Sequence, residues 1–464
     1  MKNQLFQEFI SHTNEDWKQQ VIKDLKGKDF NENLTWIIDE NIKVNSFYDG
    51  EKVHEIPLRS IQQSQNQGFV KTWNYREIIK YKSEKETNKL IVSQLEVGTE
   101  SFMIEFSGLI EKEFEVKKLL RNIKISATPF FFKVENNALH FVNELQIIAP
   151  YHWKGGINND ILGRFFTSGN YAMNEWEGMK QILGKVQNFI YFKTFTINGN
   201  VFHNAGANVA QEVAYTLASA LETVDKISQQ NVGLLLIMQK IEFSISVGTN
   251  YFAEVAKIRA LKFLWNKILI EGYGLDKQNI PPIAVHCVTS SFFNSSNSPH
   301  TNILRATTES MSAIIGGCDS LSIRAFDETF QESDEFSRRI SRNISTILKV
   351  ESYFDKVIDP SAGSYLIEKL TFEIAEQSFK LLQEVENKGG IVEAFKQNFV
   401  QNELNRNFEN QLRQLKTDEK IMVGVNKFRV NEPTGRNTEK LNPPNPTLGF
   451  DLLTDLRVAS TFEK

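Results

Sequence analysis

The chain has 464 residues, 41% hydrophobic and 24% charged, with a formal net charge of −4. That composition supports a sizeable core in one large domain with extensions or in two domains, and it offers no basic field for nucleic acid or an anionic membrane. The only two cysteines, Cys287 and Cys318, lack metal-ligand spacing, and the seven histidines form no H-x-x-x-H or H-x-H pair, so neither a disulfide framework nor a protein-built zinc site is expected and a reducing cytoplasm suits the chain.

The first ten residues lack a signal-peptide pattern, and no apolar run approaches the roughly 20 residues that cross a bilayer. Phe6, Phe9, Ile10, Trp17, Val21 and Leu25 recur at helical spacing, which predicts an amphipathic helix closed by Gly27. From about residue 40 to 370, short β-type runs alternate with helical ones. The expected strands are 89–95, 102–106, 130–134, 189–197, 241–247, 282–289 and 320–325. The expected helices are 211–227, 251–272, 301–315 and 335–349. The stretch from about 107 to 190 gives no clear pattern. Such alternation predicts an α/β fold with a parallel sheet, either a (β/α)8 barrel or an open doubly wound sheet. Residues 365 to 415 read as long helices broken at Gly389-Gly390. The Pro-rich run 433–446 reads as an extended linker.

Four expected strands carry small hydroxyl residues two apart: Thr194 and Thr196, Ser244 and Ser246, Thr289 and Ser291, Ser320 and Ser322. Side chains two apart share a face of a strand. The flanking Phe195, Ile245 and Leu321 are apolar and belong against helices. In a closed sheet the hydroxyls would point inward, where most (β/α)8 barrels place bulky aliphatics. Two readings stay open: a wetter axis wide enough for a slender ligand arm, or hydroxyls that bond only to nearby backbone.

Several motifs in order, with their spacing, carry a resemblance. They are Trp17, Leu25-Lys26-Gly27 and Leu34; Gly206-Ala207-Asn208-Val209-Ala210-Gln211-Glu212; Phe252 to Ala260 with Leu264-Trp265; Asn302 to Glu309; Gly316 to Leu321; Ala325-Phe326-Asp327-Glu328; and Arg339 to Asn343 followed by Asp359-Pro360-Ser361-Ala362-Gly363-Ser364. Along the whole chain this series resembles the barrel half of the methylmalonyl-CoA mutase family. The resemblance implies a radical rearrangement of methylmalonyl-CoA to succinyl-CoA, an adenosylcobalamin cofactor held by a separate flavodoxin-type domain through an Asp-x-His-x-x-Gly loop, and a barrel axis that takes the CoA arm.

The residues then depart from the active pattern. No Asp-x-His-x-x-Gly occurs in the sequence, and Leu456 to Glu463 resembles the family's last stretch before the cobalamin domain. Where active members carry Gly-Tyr-His, a histidine placed to donate to the substrate carbonyl, this chain reads Gly199-Asn200-Val201. Valine has no proton to offer. His203 follows two residues later, at a depth different by about 6–7 Å if the chain stays extended. Where they carry Trp-Thr-Ile-Arg-Gln-Tyr-Ala-Gly-Phe-Ser, this chain reads Trp73 to Lys82; Arg76 is kept and the tyrosine position is Ile78.

The expectation is therefore a (β/α)8 barrel over 39–370, with an N-terminal helical arm at 1–38, a helical and Pro-rich extension at 371–464 and no cobalamin-binding domain. In function the chain is expected to be a non-catalytic small subunit paired 1:1 with a large (α) subunit that binds adenosylcobalamin. No catalytic, cofactor or metal residues are expected in this chain, and the setting is cytoplasmic propionate metabolism. Two alternatives are a catalytic acyl-CoA mutase barrel served by a separate cobalamin-binding subunit, and a barrel that binds acyl-CoA or a protein without any part in turnover.

Overall fold

The computed structural model describes residues 12–38, 42–50, 55–65, 72–106, 115–134, 138–429 and 449–463. Phe6, Phe9, Ile10 and the Pro-rich run 433–446 lie outside them. The arm begins as helix Asn14–Asp24, opened by a reciprocal cap in which Thr13 and Asp16 bond each other's backbone N–H. Gly27 follows at φ +89°, as its position predicts. Trp17 packs 5.0 Å from Phe47 and 6.2 Å from Phe30, ring centre to ring centre, which ties this helix to the short antiparallel pair Thr35–Ile37 and Lys43–Asn45.

The central sheet is parallel throughout. Its strands are β1 (Asn74–Lys80), β2 (Ser101–Glu105), β3 (Phe130–Lys133), β4 (Gly155–Ile157), β5, β6 (Ile241–Val247), β7 (Ala284–Thr289) and β8 (Ser320–Ser322). Strand β5 comes in two segments, Phe192–Lys193 paired with β4 and Phe195–Asn198 paired with β6. They are consecutive in the chain, broken only at Thr194, where the N–H groups of Thr194 and Phe195 both donate to the Lys240 carbonyl at 2.9 and 3.0 Å. This is a bulge. The nine paired segments therefore form eight strands, and because β8 pairs with β1 the ring closes.

Helices follow the strands: α1 (Glu84–Glu96), α2 (Val116–Leu119), α3 (Ala138–Ile148), α4 (Asn174–Val186), α5 (Val209–Ser228), α6 (Tyr251–Lys267), α7 (Pro299–Ile315) and α8 (Glu335–Val350). The barrel expected from the alternation is the fold observed. The segment 89–95, expected as a strand, is instead the body of α1. Ser83 caps that helix by accepting from the Glu86 N–H, and Thr87, Ile91 and Gln94 bury one face at helical spacing. Its short run Leu90-Ile91-Val92 is apolar enough to read as either element. Strands β1 and β4 were not among the expected ones. Strand β4 opens with Gly155-Gly156, residues of poor strand propensity, which hid it in the unclear stretch.

After the barrel come α9 (Tyr365–Asn387), α10 (Ile391–Lys396) and α11 (Phe399–Lys416). The first break falls at Gly389 and Gly390, at φ +95° and +89°, where only glycine is unstrained. Residues 449–463 then cross the C-terminal mouth of the barrel. Leu453 donates to Phe166 O, Leu456 to Asn204 O and Val458 to Phe292 O, at 2.8, 2.7 and 3.1 Å. Beneath this strap, Phe292, Leu415, Met422, Val425, Val458 and Ala459 form a second apolar cluster apart from the main core.

The signature residues 359–364 have a structural job. Arg259 of α6, fully buried, pairs with Asp359 and, at 2.8 Å, with Glu368 of α9. Glu368 also accepts from the Gly363 N–H at 3.0 Å. The loop is thus clamped between α6 and the start of α9, where Ser364 is the cap.

Candidate functional site

Which side chains enter the barrel follows from register. Glu242 reaches an inward partner, so Ser244 and Ser246 on the same strand also point inward. Pairing of Glu242 with Thr196 and with Ala284 carries that face to Thr196 on β5 and to His286 and Val288 on β7. Pairing of His286 with Ser320 carries it to Ser320 and Ser322. Two of the four expected hydroxyl pairs are therefore inward, and of a third Thr196 is, while Thr194 lies at the bulge in β5, outside the paired register. The fourth is not: on β7 the inward residues are His286 and Val288. Thr289 takes the opposite face, where its hydroxyl accepts from the Arg324 N–H at 2.8 Å, and Ser291 lies beyond the strand.

The interior is not an open channel at the level of Arg76. Its guanidinium reaches from β1 to Glu242 on β6 in a two-pronged contact of 2.9 and 2.7 Å. β1 and β6 stand three places apart around the ring, so this pair spans the axis. The guanidinium carbon also lies 3.3 Å from the centre of the Phe131 ring on β3. The side chains of Arg76 and Glu242 are 2% and 5% exposed, so the pair is buried and its geometry, an Arg fork on a carboxylate, is the kind that survives desolvation.

His286 fills the adjoining quarter. Its Nδ1 is 2.9 Å from Ser320 Oγ and its Nε2 3.2 Å from Ser322 Oγ, and Ser322 Oγ donates to the Arg76 carbonyl at 2.7 Å. With the Ser322 proton so committed, Nε2–H donates to Ser322 and Nδ1 accepts from Ser320. Burial, and then the positive charge of Arg76, hold this imidazole well below its usual pKa, in keeping with a neutral ring. On the β5–β6 side, Asn200 donates to Ser244 Oγ and accepts from Ser246 Oγ, both at 2.8 Å. The Thr194 and Thr196 hydroxyls are buried without a hydrogen bond.

The expected histidine position, Val201, sits half-buried on the short helix Asn200–Asn204 just past β5, packed against the main core. Ile78 is half-buried on β1. His203 is turned to other work. Its Nε2 lies 2.7 Å from Ser290 Oγ and its Nδ1 3.3 Å from Glu212 Oε2, with the edges of Phe292 and Phe293 against the ring. Glu212 also takes the Ser246 N–H at 2.8 Å and the Lys257 ammonium at 2.6 Å. Burial works to raise the Glu212 pKa, but Lys257 and His203 outweigh it and the net shift is downward. Both ring nitrogens of His203 are thus committed to a buried knot that ties the ends of β5, β6 and β7 together. Ser290, His203 and Glu212 align as a serine, histidine and carboxylate, yet Ser290 is 1% exposed.

Sequence reasoning noted Arg76 but not its partner. The signal was present: Glu242 is in phase with Ser244 and Ser246 in Ile-Glu-Phe-Ser-Ile-Ser-Val. His286 and Phe131 carried no comparable mark. Among the described residues, no cluster of three His, Cys, Asp or Glu side chains could hold a metal ion, and no helix is long and apolar enough to cross a membrane.

A closed (β/α)8 barrel with a polar, crossed interior is the class that this geometry defines. Residues 110–448 match the family model described as methylmalonyl-CoA mutase, and the chain belongs to that family. It is 30% identical over 446 residues to the methylmalonyl-CoA mutase small subunit of Porphyromonas gingivalis, covering 92% of this chain and 71% of that one. It is 28% identical over 457 residues to the methylmalonyl-CoA mutase of Cereibacter sphaeroides, covering 89% and 64%. Against the Escherichia coli methylmalonyl-CoA mutase it is 30% identical over 291 residues, 62% of this chain and 41% of that one. The chain thus spans about two thirds or less of the length of the last two relatives.

Proposed function

We propose that this chain is the small, non-catalytic subunit of a two-subunit methylmalonyl-CoA mutase. It pairs 1:1 with a large subunit that binds adenosylcobalamin and interconverts methylmalonyl-CoA and succinyl-CoA. The observation that carries this reading is the Arg76–Glu242 pair, stacked on Phe131, across the axis along which the family's CoA arm would run. Val201 and Ile78 support it, since neither offers a proton where the active pattern has histidine and tyrosine. The name of the Porphyromonas gingivalis relative points the same way.

The residues at the barrel centre do not suit cobalamin chemistry. The two buried histidines, His203 and His286, have both ring nitrogens engaged within the chain. In this reading the cofactor and every chemical step belong to the partner, and both subunits work in the reducing cytoplasm.

The test is expression of this chain alone and together with the large subunit. Alone, it should give no isomerisation with added adenosylcobalamin and no calorimetric signal with CoA thioesters. Together, the two should elute as one 1:1 complex. Isomerase turnover by this chain without the large subunit would overturn the reading.

A further inference from the structure

Helix α7 carries its charges on the inside. It buries Asn302, Arg305, Glu309, Ser310 and Ser312 along with Ala306, Ala313 and Ile314. Its outward positions His300, Leu304, Thr308, Met311 and Ile315 include no Asp, Glu, Lys or Arg, and Leu304 is 68% exposed. A surface helix ordinarily shows the reverse, apolar inward and charged outward.

The neighbouring α8 continues the pattern. Phe336, Ile340, Asn343, Ile347 and Val350 recur at helical spacing along its outer side, with Val350 59% exposed. Arg339 is the cation among them, and its guanidinium carbon lies 5.6 Å from the Phe336 ring centre. The other basic residues of α8 after it are held by the chain itself, Arg342 by Gln94 and Lys349 by Glu100, as Arg338 is by the Ser333 carbonyl. Past the end of α8, Tyr353, Val357 and Ile358 extend the exposed apolar surface. The next helix around the ring shows what cover does to such a surface: α9 packs on α6, and every residue of α6 from Ala253 to Trp265 is buried.

The helices α7 and α8 have 17 and 16 residues, which makes each about 25 Å long. With axes about 8–10 Å apart, they present a face of about 25 by 20 Å. Corrugated, and enlarged by the turn at 353–358, that face approaches the roughly 800 Å² of accessible surface that each partner gives to a standard protein interface. An exposed apolar patch of this extent marks a protein contact, and a small ligand would leave most of it in water.

We propose that the outer face of α7 and α8 is the surface on which this chain docks the large subunit, an inference that rests on the two-subunit reading above. The partner surface it fits is apolar and poor in charge, with an acceptor set against Arg339, because a charge buried there without a partner is costly. Leu304 and Ile347, one on each helix, are its anchors.

The experiment is sedimentation of the full chain with the large subunit, using wild type, Leu304→Lys, Ile347→Lys and the double variant. Ile190→Lys is the control, at a 78% exposed apolar position between α4 and β5. Affinity for the large subunit should fall at least tenfold in each single variant and further in the double, with the thermal midpoint of the free chain unchanged, while the control binds as wild type. A benzophenone photo-crosslinker placed at Thr308 should label the large subunit, an arm that does not depend on how the lysine variants fold. If the complex forms and neither Leu304→Lys nor Ile347→Lys weakens it, or Ile190→Lys does so instead, the docking face lies elsewhere and the two-subunit reading stands. If wild type forms no complex, both fall. Wild type that dimerises with itself through Leu304 and Ile347 makes a second copy the occupant and overturns the proposal.

Discussion

Arg76 and Glu242 are 166 residues apart in sequence and meet inside the barrel through two hydrogen bonds of 2.9 and 2.7 Å. Neither side chain has meaningful access to water. Breaking a buried pair by removing one partner strands the other charge, at a cost of about 3–5 kcal/mol, whereas replacing both by apolar groups of similar volume is often neutral. Arg76→Met and Glu242→Leu should each lower unfolding free energy by that order in urea titrations. The double variant should recover most of it. A loss in the double variant equal to the sum of the two single losses would mean that the residues are not coupled and contribute only volume.

Glu309 of α7 gives a pH prediction. Burial, with Glu254 nearby, pushes its pKa up to about 8, against the Ser290 N–H, which lowers it. The folded state therefore keeps this proton over a range where the unfolded chain has lost it. The associated stability is fully present below the ordinary carboxyl value, falls as pH rises toward 8, and is flat beyond. At about 1.4 kcal/mol per pKa unit the fall has a ceiling of about 5 kcal/mol. Glu309→Gln keeps an acceptor for the Ser290 N–H and removes the titration. It should match wild type near pH 5 and exceed it in denaturation midpoint near pH 8. A constant offset across that window would place the pH dependence elsewhere.

Gly155 opens β4 at φ +111°, and a Cβ there would lie 1.9 Å from the Phe130 carbonyl oxygen. An L side chain is strained at that φ by about 1–3 kcal/mol, before the clash with neighbouring backbone is added. Gly155→Ala should lose more than this in urea unfolding, or fail to accumulate as folded protein. Gly178→Ala, with nothing within 4 Å of the added carbon and a place inside α4, should be neutral or slightly stabilising.

Much of the barrel was legible because its determinants are local. Ile241–Val247 alternates, α5, α6, α7 and α8 carry helical periodicity, and Gly389-Gly390 marks a break. The failures are also local. In α1 a three-residue apolar run looked like strand while the Ser83 cap and the Thr87, Ile91 and Gln94 face said helix. In β4 two glycines removed the strand signal because Gly155 lies close on the Phe130 backbone of β3 and Gly156 close on the Lys193 backbone of β5. Val201 and Ile78 were placed by motif register alone, and the engagement of both His203 nitrogens, with Ser290 and Glu212, depends on contacts that no local spacing reveals.

Taken alone, the sequence determined the family and the parallel barrel, through ordered motifs and the alternation of strand and helix periods. What fills the axis was decided only in three dimensions. Contacts within a strand or helix depend on spacing that can be counted along the chain. Contacts across a closed barrel depend on strand tilt and stagger, which are set when β8 pairs with β1 and closes the ring. That closure brings Arg76 opposite Glu242 and over Phe131, and turns His286 inward where Thr289 was expected.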